Sequence, residues 1–120
     1  PPHLVVTSAA IHKAFQHVRE GTEDVKESFR KGQVSVSGIP AINSFEVEVA
    51  YKDMKYSFHV ERIAEDVYRL KLGNNVIDAQ VSLAADGALL ASFGGETHRI
   101  FGMDEPLGLR LKLDGNTILM

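Results

Sequence analysis

The sequence predicts a mainly β protein of the α+β class. One long N-terminal α-helix should be followed by an eight-stranded antiparallel up-and-down β-barrel, closed or partly open, packed around or against the helix. Three observations carry this. Apolar residues recur at helical steps through the first third of the chain, and beyond residue 43 they alternate with polar residues at every second position. The stretches between the alternating runs are mostly hairpin length, too short for the crossover helices of a parallel sheet. At 120 residues the chain suits one domain, spanning 1–120.

The helix is expected over 3–32. Ile11, Phe15, Val18, Thr22, Val25 and Phe29 fall on one stripe, and the stripe keeps its phase across Gly21, so that glycine is read as tolerated within the helix. Arg30, Lys31 and Gly32 make a good terminus, with cations at the negative end of the helix dipole and a glycine free to turn left-handed. The start falls between His3 and Ser8: either Thr7 or Ser8 caps the helix, or Leu4, Val5 and Val6 form its first turn. The two halves differ in character. Leu4, Val5, Val6, Ala9, Ala10, Ile11, Ala14 and Phe15 leave almost no polar face, which predicts burial on most sides. Arg19, Glu20, Glu23, Asp24, Lys26, Glu27 and Arg30 surround a narrow seam in the second half, which predicts a surface.

Residues 33–43 read as a linker, broken by Gly38 and Pro40. In the meander over 44–120, Phe45, Val47, Val49 and Tyr51 alternate with Glu46 and Glu48, and Tyr56, Phe58 and Val60 alternate with Ser57, His59 and Glu61. Further runs lie near 67–72, 76–83, 88–93, 97–102, 107–113 and 117–120. Turn signals separate them, among them Gly73-Asn74-Asn75, Asp86-Gly87, Gly94-Gly95, Asp104-Glu105-Pro106 and Asp114-Gly115. Such a meander leaves two edges unless it curls up, and Pro106 is nearly its only edge-protecting proline, so closure or near closure is expected. A helix about 10 Å across fits inside eight strands only if the barrel tilts strongly or stays partly open.

Composition narrows function mainly by exclusion. A net charge of −3 supplies no basic field for nucleic acid or an anionic membrane, and neither partner is expected. With no cysteine, disulfides and thiolate metal sites are ruled out, which fits a reducing compartment. His3, His12, His17, His59 and His98 show no zinc spacing, so no metal site is expected; His12 and His17 read as surface or boundary residues and His98 as a plain strand residue. Ser35-Val36-Ser37-Gly38 lacks the glycine two residues before the serine that a nucleophile elbow needs, and Phe93-Gly94-Gly95-Glu96 lacks the lysine and helix of a phosphate loop. Asp86, Asp104 and Asp114 read as turn residues bonding local backbone. No catalytic residue is assigned.

One stretch, "YKDMKYSF", holds the Met-Lys pair found at biotin-attachment sites. An acceptor lysine must project from the tip of a tight turn, usually between two methionines, whereas Lys55 is followed by Tyr56 and the turn falls on Lys52-Asp53. Lys55 is therefore read as a solvated strand residue and not a biotin acceptor.

The succession of "AAIHKAF", "SFRKGQV", "YKDMKYSFHVER", "DVYRLKLGNN", "AADGALLASFGGETHRIF" and "LRLKLDGNTILM" resembles the segment between the biotin carboxylase and biotin carboxyl carrier domains of large eukaryotic acetyl-CoA carboxylases. The resemblance covers nearly the whole chain. It is strongest at Lys31-Gly32-Gln33-Val34, at Lys55-Tyr56, and at Asp86-Gly87-Ala88-Leu89-Leu90 with Gly95, His98 and Arg110; Ala88 stands where the family usually has a second glycine. This segment, the BT or BC–CT mediating domain, is an antiparallel barrel with a long helix that joins and orients the two catalytic parts.

The resemblance thus implies a noncatalytic piece of a longer homodimeric enzyme that makes malonyl-CoA from acetyl-CoA, bicarbonate and ATP for fatty acid synthesis. Biotin, ATP and Mg or Mn would belong to the parent, with no cofactor held by this domain and the biotinylated lysine lying beyond Met120. Implied partners are the biotin carboxylase, biotin carboxyl carrier and carboxyltransferase domains of the same protein, in the cytoplasm or, alternatively, a plastid. The candidate docking surface is the charged helix face of Arg19, Glu23, Glu27 and Arg30. The competing reading is a small-molecule-binding barrel of lipocalin type, which needs an empty apolar interior of several hundred cubic ångströms.

Overall fold

The computed structural model describes the backbone of residues 2–30, 43–106 and 108–120, with helix side chains described for 3–21. The helix α1 spans Pro2–Arg30 and runs without a break through Gly21. It begins earlier than a cap at Thr7 or Ser8 would allow: both are buried within it, and proline suits a first turn because its missing N–H would have no helical acceptor there. The predicted C-terminal stop at Lys31-Gly32 and the linker over 33–42 lie outside the described residues.

Eight strands follow: β1 (Ser44–Tyr51), β2 (Met54–Ala64), β3 (Val67–Leu72), β4 (Asn75–Leu83), β5 (Leu89–Phe93), β6 (Glu96–Glu105), β7 (Gly108–Leu113) and β8 (Asn116–Leu119). They form one antiparallel sheet in chain order, as the short connections require. Lys52 and Asp53, at φ 50° and 64°, turn β1 into β2 with both central residues left-handed, the geometry whose twist matches that of the flanking strands. This sets Val47 opposite Phe58 and Val49 opposite Tyr56, so the apolar residues of both strands share the inner face. The register of β2 against β3 shifts between Arg62 and Ala64, and Ile63, at this irregularity, is exposed.

The sheet is a half-barrel. Among the described residues β1 and β8 do not pair, so of the two expected forms the partly open one is realised. The helix touches β1, β2, β5, β6 and β7. Lys13 Nζ donates to the Glu48 carbonyl of β1 at 2.8 Å, and Gln16 Nε2 donates to Asp104 Oδ2 of β6, also at 2.8 Å. The helix therefore links opposite parts of the curled sheet and occupies a carbonyl of an edge strand.

Small side chains make room for it. Ala9, Ala10 and Ala14 on the helix and Ala79 and Ala91 on the sheet are fully buried, and the helix axis can approach the strands where these residues stand. Val6 and Ile11 complete the buried helix stripe, against an inner face that includes Val49, Phe58, Val60, Leu70, Ile100 and Leu111. The expectation that the first half of the helix is enclosed thus holds.

Two readings within it are corrected. Phe15 is only partly buried, at the border of the core, and His12 is buried at 7% exposure rather than lying at the surface. The stripe sets the direction of a side chain, whereas its depth depends on where along the helix the sheet ends.

Candidate functional site

The inner face of β6 carries a buried histidine paired with a carboxylate. His98 on β6 points inward beside Ile100, 7% exposed, and its Nδ1–H donates to Asp114 Oδ2 at 2.8 Å. Asp114 Oδ1 accepts the backbone N–H of Arg99 at 2.8 Å. The His98 bond first, and the Arg99 N–H second, hold the Asp114 carboxyl below its ordinary value. Asp114 was read as bonding its local turn; instead its left-handed backbone, φ 49°, aims the carboxylate across to β6. Asp86 does bond its own turn, accepting the Ala88 N–H at 3.1 Å, while Asp104 lies within β6 and meets the helix. Sixteen residues separate His98 from Asp114, so no short motif announced the pair. Phe93 tilts against the His98 ring at 4.9 Å, and the Glu96 carboxylate lies 3.7 Å from Nε2. No nucleophile hydrogen-bonds that nitrogen among the described residues, and the pair ties the β7–β8 turn to β6.

A pH prediction follows from this tie. A depressed carboxyl contributes stability at pH above its unfolded value, ordinarily 3.8, and that contribution is lost as pH falls through the lower folded value. Asp114→Asn keeps a residue tolerant of the left-handed turn and removes the charge. Because the Asp114 carboxylate is 42% exposed and screened by solvent, the variant is expected in urea unfolding to be less stable at pH 7 by about 1 kcal/mol or less and to lose less than the parent chain between pH 5 and pH 2.

The outer face divides into two regions. On β1 to β4 polar groups pair across strands: Glu46 hydrogen-bonds His59 at 2.6 Å, and opposite charges meet at Lys71 with Glu61 and at Arg69 with Asp78, both at 2.9 Å. Lys71 holds the Glu61 carboxyl low, and Arg69 does the same for Asp78. These exposed pairs specify register more than they add stability. On β6 to β8 the outward positions instead carry Arg99, Phe101 and Met103, then Arg110 and Lys112, then Thr117 and Leu119. Phe101, Met103 and Leu119 are 41%, 54% and 69% exposed. A surface cavity of about 490 Å³ opens among Asp86, Arg99, Phe101, Met103, Arg110 and Lys112.

Lys55 stands on β2 opposite Ala50, beyond the Lys52-Asp53 turn; its side chain is 78% exposed and lies 3.7 Å from Glu48. Arg19 is exposed on the helix, and the side chains of Glu23, Glu27 and Arg30 lie outside the described residues. His17 is exposed and stacks on Phe45 of β1 with ring centroids 4.0 Å apart. Among the described residues no group of three or more histidines and carboxylates could hold a metal ion, and no helix is long and apolar enough to cross a membrane. The patch on β6 to β8 escaped sequence reasoning because alternation marks Phe101 and Met103 only as outward; their assembly with Arg110 and Lys112 depends on register.

These features define a helix-filled antiparallel half-barrel of the α+β class, with its interior spent on its own core. The chain belongs to the family described as the acetyl-CoA carboxylase BT domain, whose model matches residues 1–120. It is 31% identical over 120 residues to acetyl-CoA carboxylase 2 of Arabidopsis thaliana, covering 100% of this chain and 5% of that protein. It is 31% identical over 119 residues to acetyl-CoA carboxylase of Saccharomyces cerevisiae, covering 99% of this chain and 5% of that protein. Acetyl-CoA carboxylase of Dictyostelium discoideum is 30% identical over 122 residues, covering 95% and 5%. The chain thus spans about 5% of the length of these relatives.

Proposed function

We propose that this chain is a noncatalytic joining domain that couples the biotin carboxylase and carboxyltransferase parts of an acetyl-CoA carboxylase. The observation that carries the reading is the filled interior: Val6, Ala9, Ala10, Ile11 and Ala14 occupy the volume that a lipocalin-type ligand chamber would need. A domain whose described interior is filled by its own helix acts through its surfaces. Membership in the BT family supports a setting within a multidomain acetyl-CoA carboxylase; in this reading the parent uses biotin, ATP and Mg or Mn to make malonyl-CoA, with the carrier domain as a further partner. The parent is read as a homodimer of the cytoplasm or, alternatively, of a plastid. Lys55, held within a strand, is not the biotin acceptor in this reading.

The charged helix face of Arg19, Glu23, Glu27 and Arg30 is the first docking candidate, on its pattern of charge. Reversing Glu23 and Glu27 to lysine is expected to change unfolding free energy by less than about 0.5 kcal/mol. The same double substitution in the full-length enzyme is expected to lower carrier-dependent turnover, with biotin carboxylation of free biotin unchanged. Normal carrier-dependent turnover would remove this helix face as the coupling surface.

A further inference from the structure

The outer face of β6 to β8 is built differently from the rest of the sheet. Across β1 to β4 the outward Lys55, Arg69 and Lys71 each face an acid of the neighbouring strand. On β6 to β8 three cations meet two acids. Arg99 pairs with Asp86 of the β4–β5 turn, and Arg110 Nε pairs with Glu105 Oε1 at 2.6 Å. Lys112 has no acidic partner among the described residues, and it lies between Phe101 and Thr117 in the ladder. The patch is therefore locally positive in a chain whose net charge is −3. Beside the cations, Phe101 and Met103 leave apolar surface in water around the cavity of about 490 Å³. An aromatic and a methionine flanked by arginines is the composition enriched at the centres of protein interfaces.

We propose that this face docks an acidic protein segment of the same carboxylase, which places an apolar side chain in the cavity between Phe101 and Met103 and a carboxylate on Lys112. Charge complementarity selects the occupant. A second copy of the patch would set cation against cation, and the described acids on the outer face of β1 to β4 are already engaged with their own partners. Arg99 and Arg110, fixed by rim acids, serve as oriented donors, while Lys112 supplies the unbalanced charge. The proposal rests on the reading of the chain as a joining domain and gives it a second surface, separate from the helix face.

The test uses zero-length carbodiimide coupling in the purified full-length enzyme, which joins an amine to a carboxylate only where the two already touch. Mass spectrometry is expected to find Lys112 joined to an aspartate or glutamate outside residues 1–120 of the same protein, and Lys112→Arg, which keeps the cation but has no primary amine, should abolish that product. Phe101→Ser is expected to lower its yield about tenfold by removing the apolar anchor, and 0.5 M salt should lower it as well. Both variants change exposed positions, and unchanged thermal unfolding of each would show that lost coupling is lost contact. Coupling of Lys112 only within residues 1–120, coupling to the same patch of a second subunit, or a yield indifferent to Phe101→Ser would each overturn the proposal. Because coupling reads contact and turnover reads the joining role, an absent cross-link with turnover still sensitive to the helix charges would reject this surface alone.

Discussion

Ile11→Ala is expected to destabilise the protein by about 2–5 kcal/mol, a large share of the total for a domain of this size. Ile11 is 1% exposed and stands between Ala10 and the buried His12 on the enclosed part of the helix, so truncation leaves a cavity that its neighbours cannot close without moving a helix and several strands. Phe15→Ala removes a larger side chain and is nevertheless expected to cost less, because Phe15 is only partly buried against the same core. Urea unfolding of the two variants checks both the size and the order. A cost below about 1 kcal/mol for Ile11→Ala would mean that the sheet does not enclose the helix.

The second large effect is steric. Gly102 lies on β6 with the His12 ring packed against it: a methyl group added there would sit 2.6 Å from Cε1 and Nε2 and 2.7 Å from Cδ2. Three ring atoms at that range leave no small rotation that relieves the clash, so Gly102→Ala is expected to cost about 1–3 kcal/mol through overpacking. In a His12→Ala background the same change should cost less than half as much, since the methyl group then enters vacated space; equal costs in both backgrounds would disprove the contact. Burial is the main influence lowering the His12 pKa below its ordinary 6.5, with Asp104 opposing and Lys13 adding to the shift. A histidine depressed in the folded state contributes stability above its unfolded value that is lost as pH falls through the lower folded value. Stability should therefore decline below about pH 6.5 as the unfolded chain takes up a proton that buried His12 resists, and His12→Leu should flatten that decline.

His12 also shows where sequence reasoning stops. Ile11, Ala14 and Val18 mark one stripe, and a histidine next to it reads as a boundary residue because imidazole is usually part-solvated. Here the residue across from it is a glycine that comes from ninety positions later in the chain, and only that missing side chain lets the ring sink. The His98–Asp114 bond has the same origin, as does the meeting of Gln16 with Asp104: each joins residues whose spacing along the chain carries no local signal. By contrast, Lys52-Asp53 was legible as a turn because it interrupts two alternating runs, and its neighbour Lys55 could be assigned to a strand from the same alternation.

The sequence by itself determined the class of each element and the order of the sheet. Periods of 3.6 and 2 are imposed by backbone geometry, and short connections leave consecutive strands no option but antiparallel neighbours. Only the tertiary structure decided that β1 and β8 do not pair among the described residues, that the helix occupies the interior, and that Phe101, Met103, Arg110 and Lys112 share one outer face. Those outcomes depend on how much volume Ala9, Ala10, Ala14, Ala79, Ala91 and Gly102 release and on how strand twist accumulates over seven strand pairings. Both are sums over contacts between residues distant in the chain, which is why no local pattern contains them.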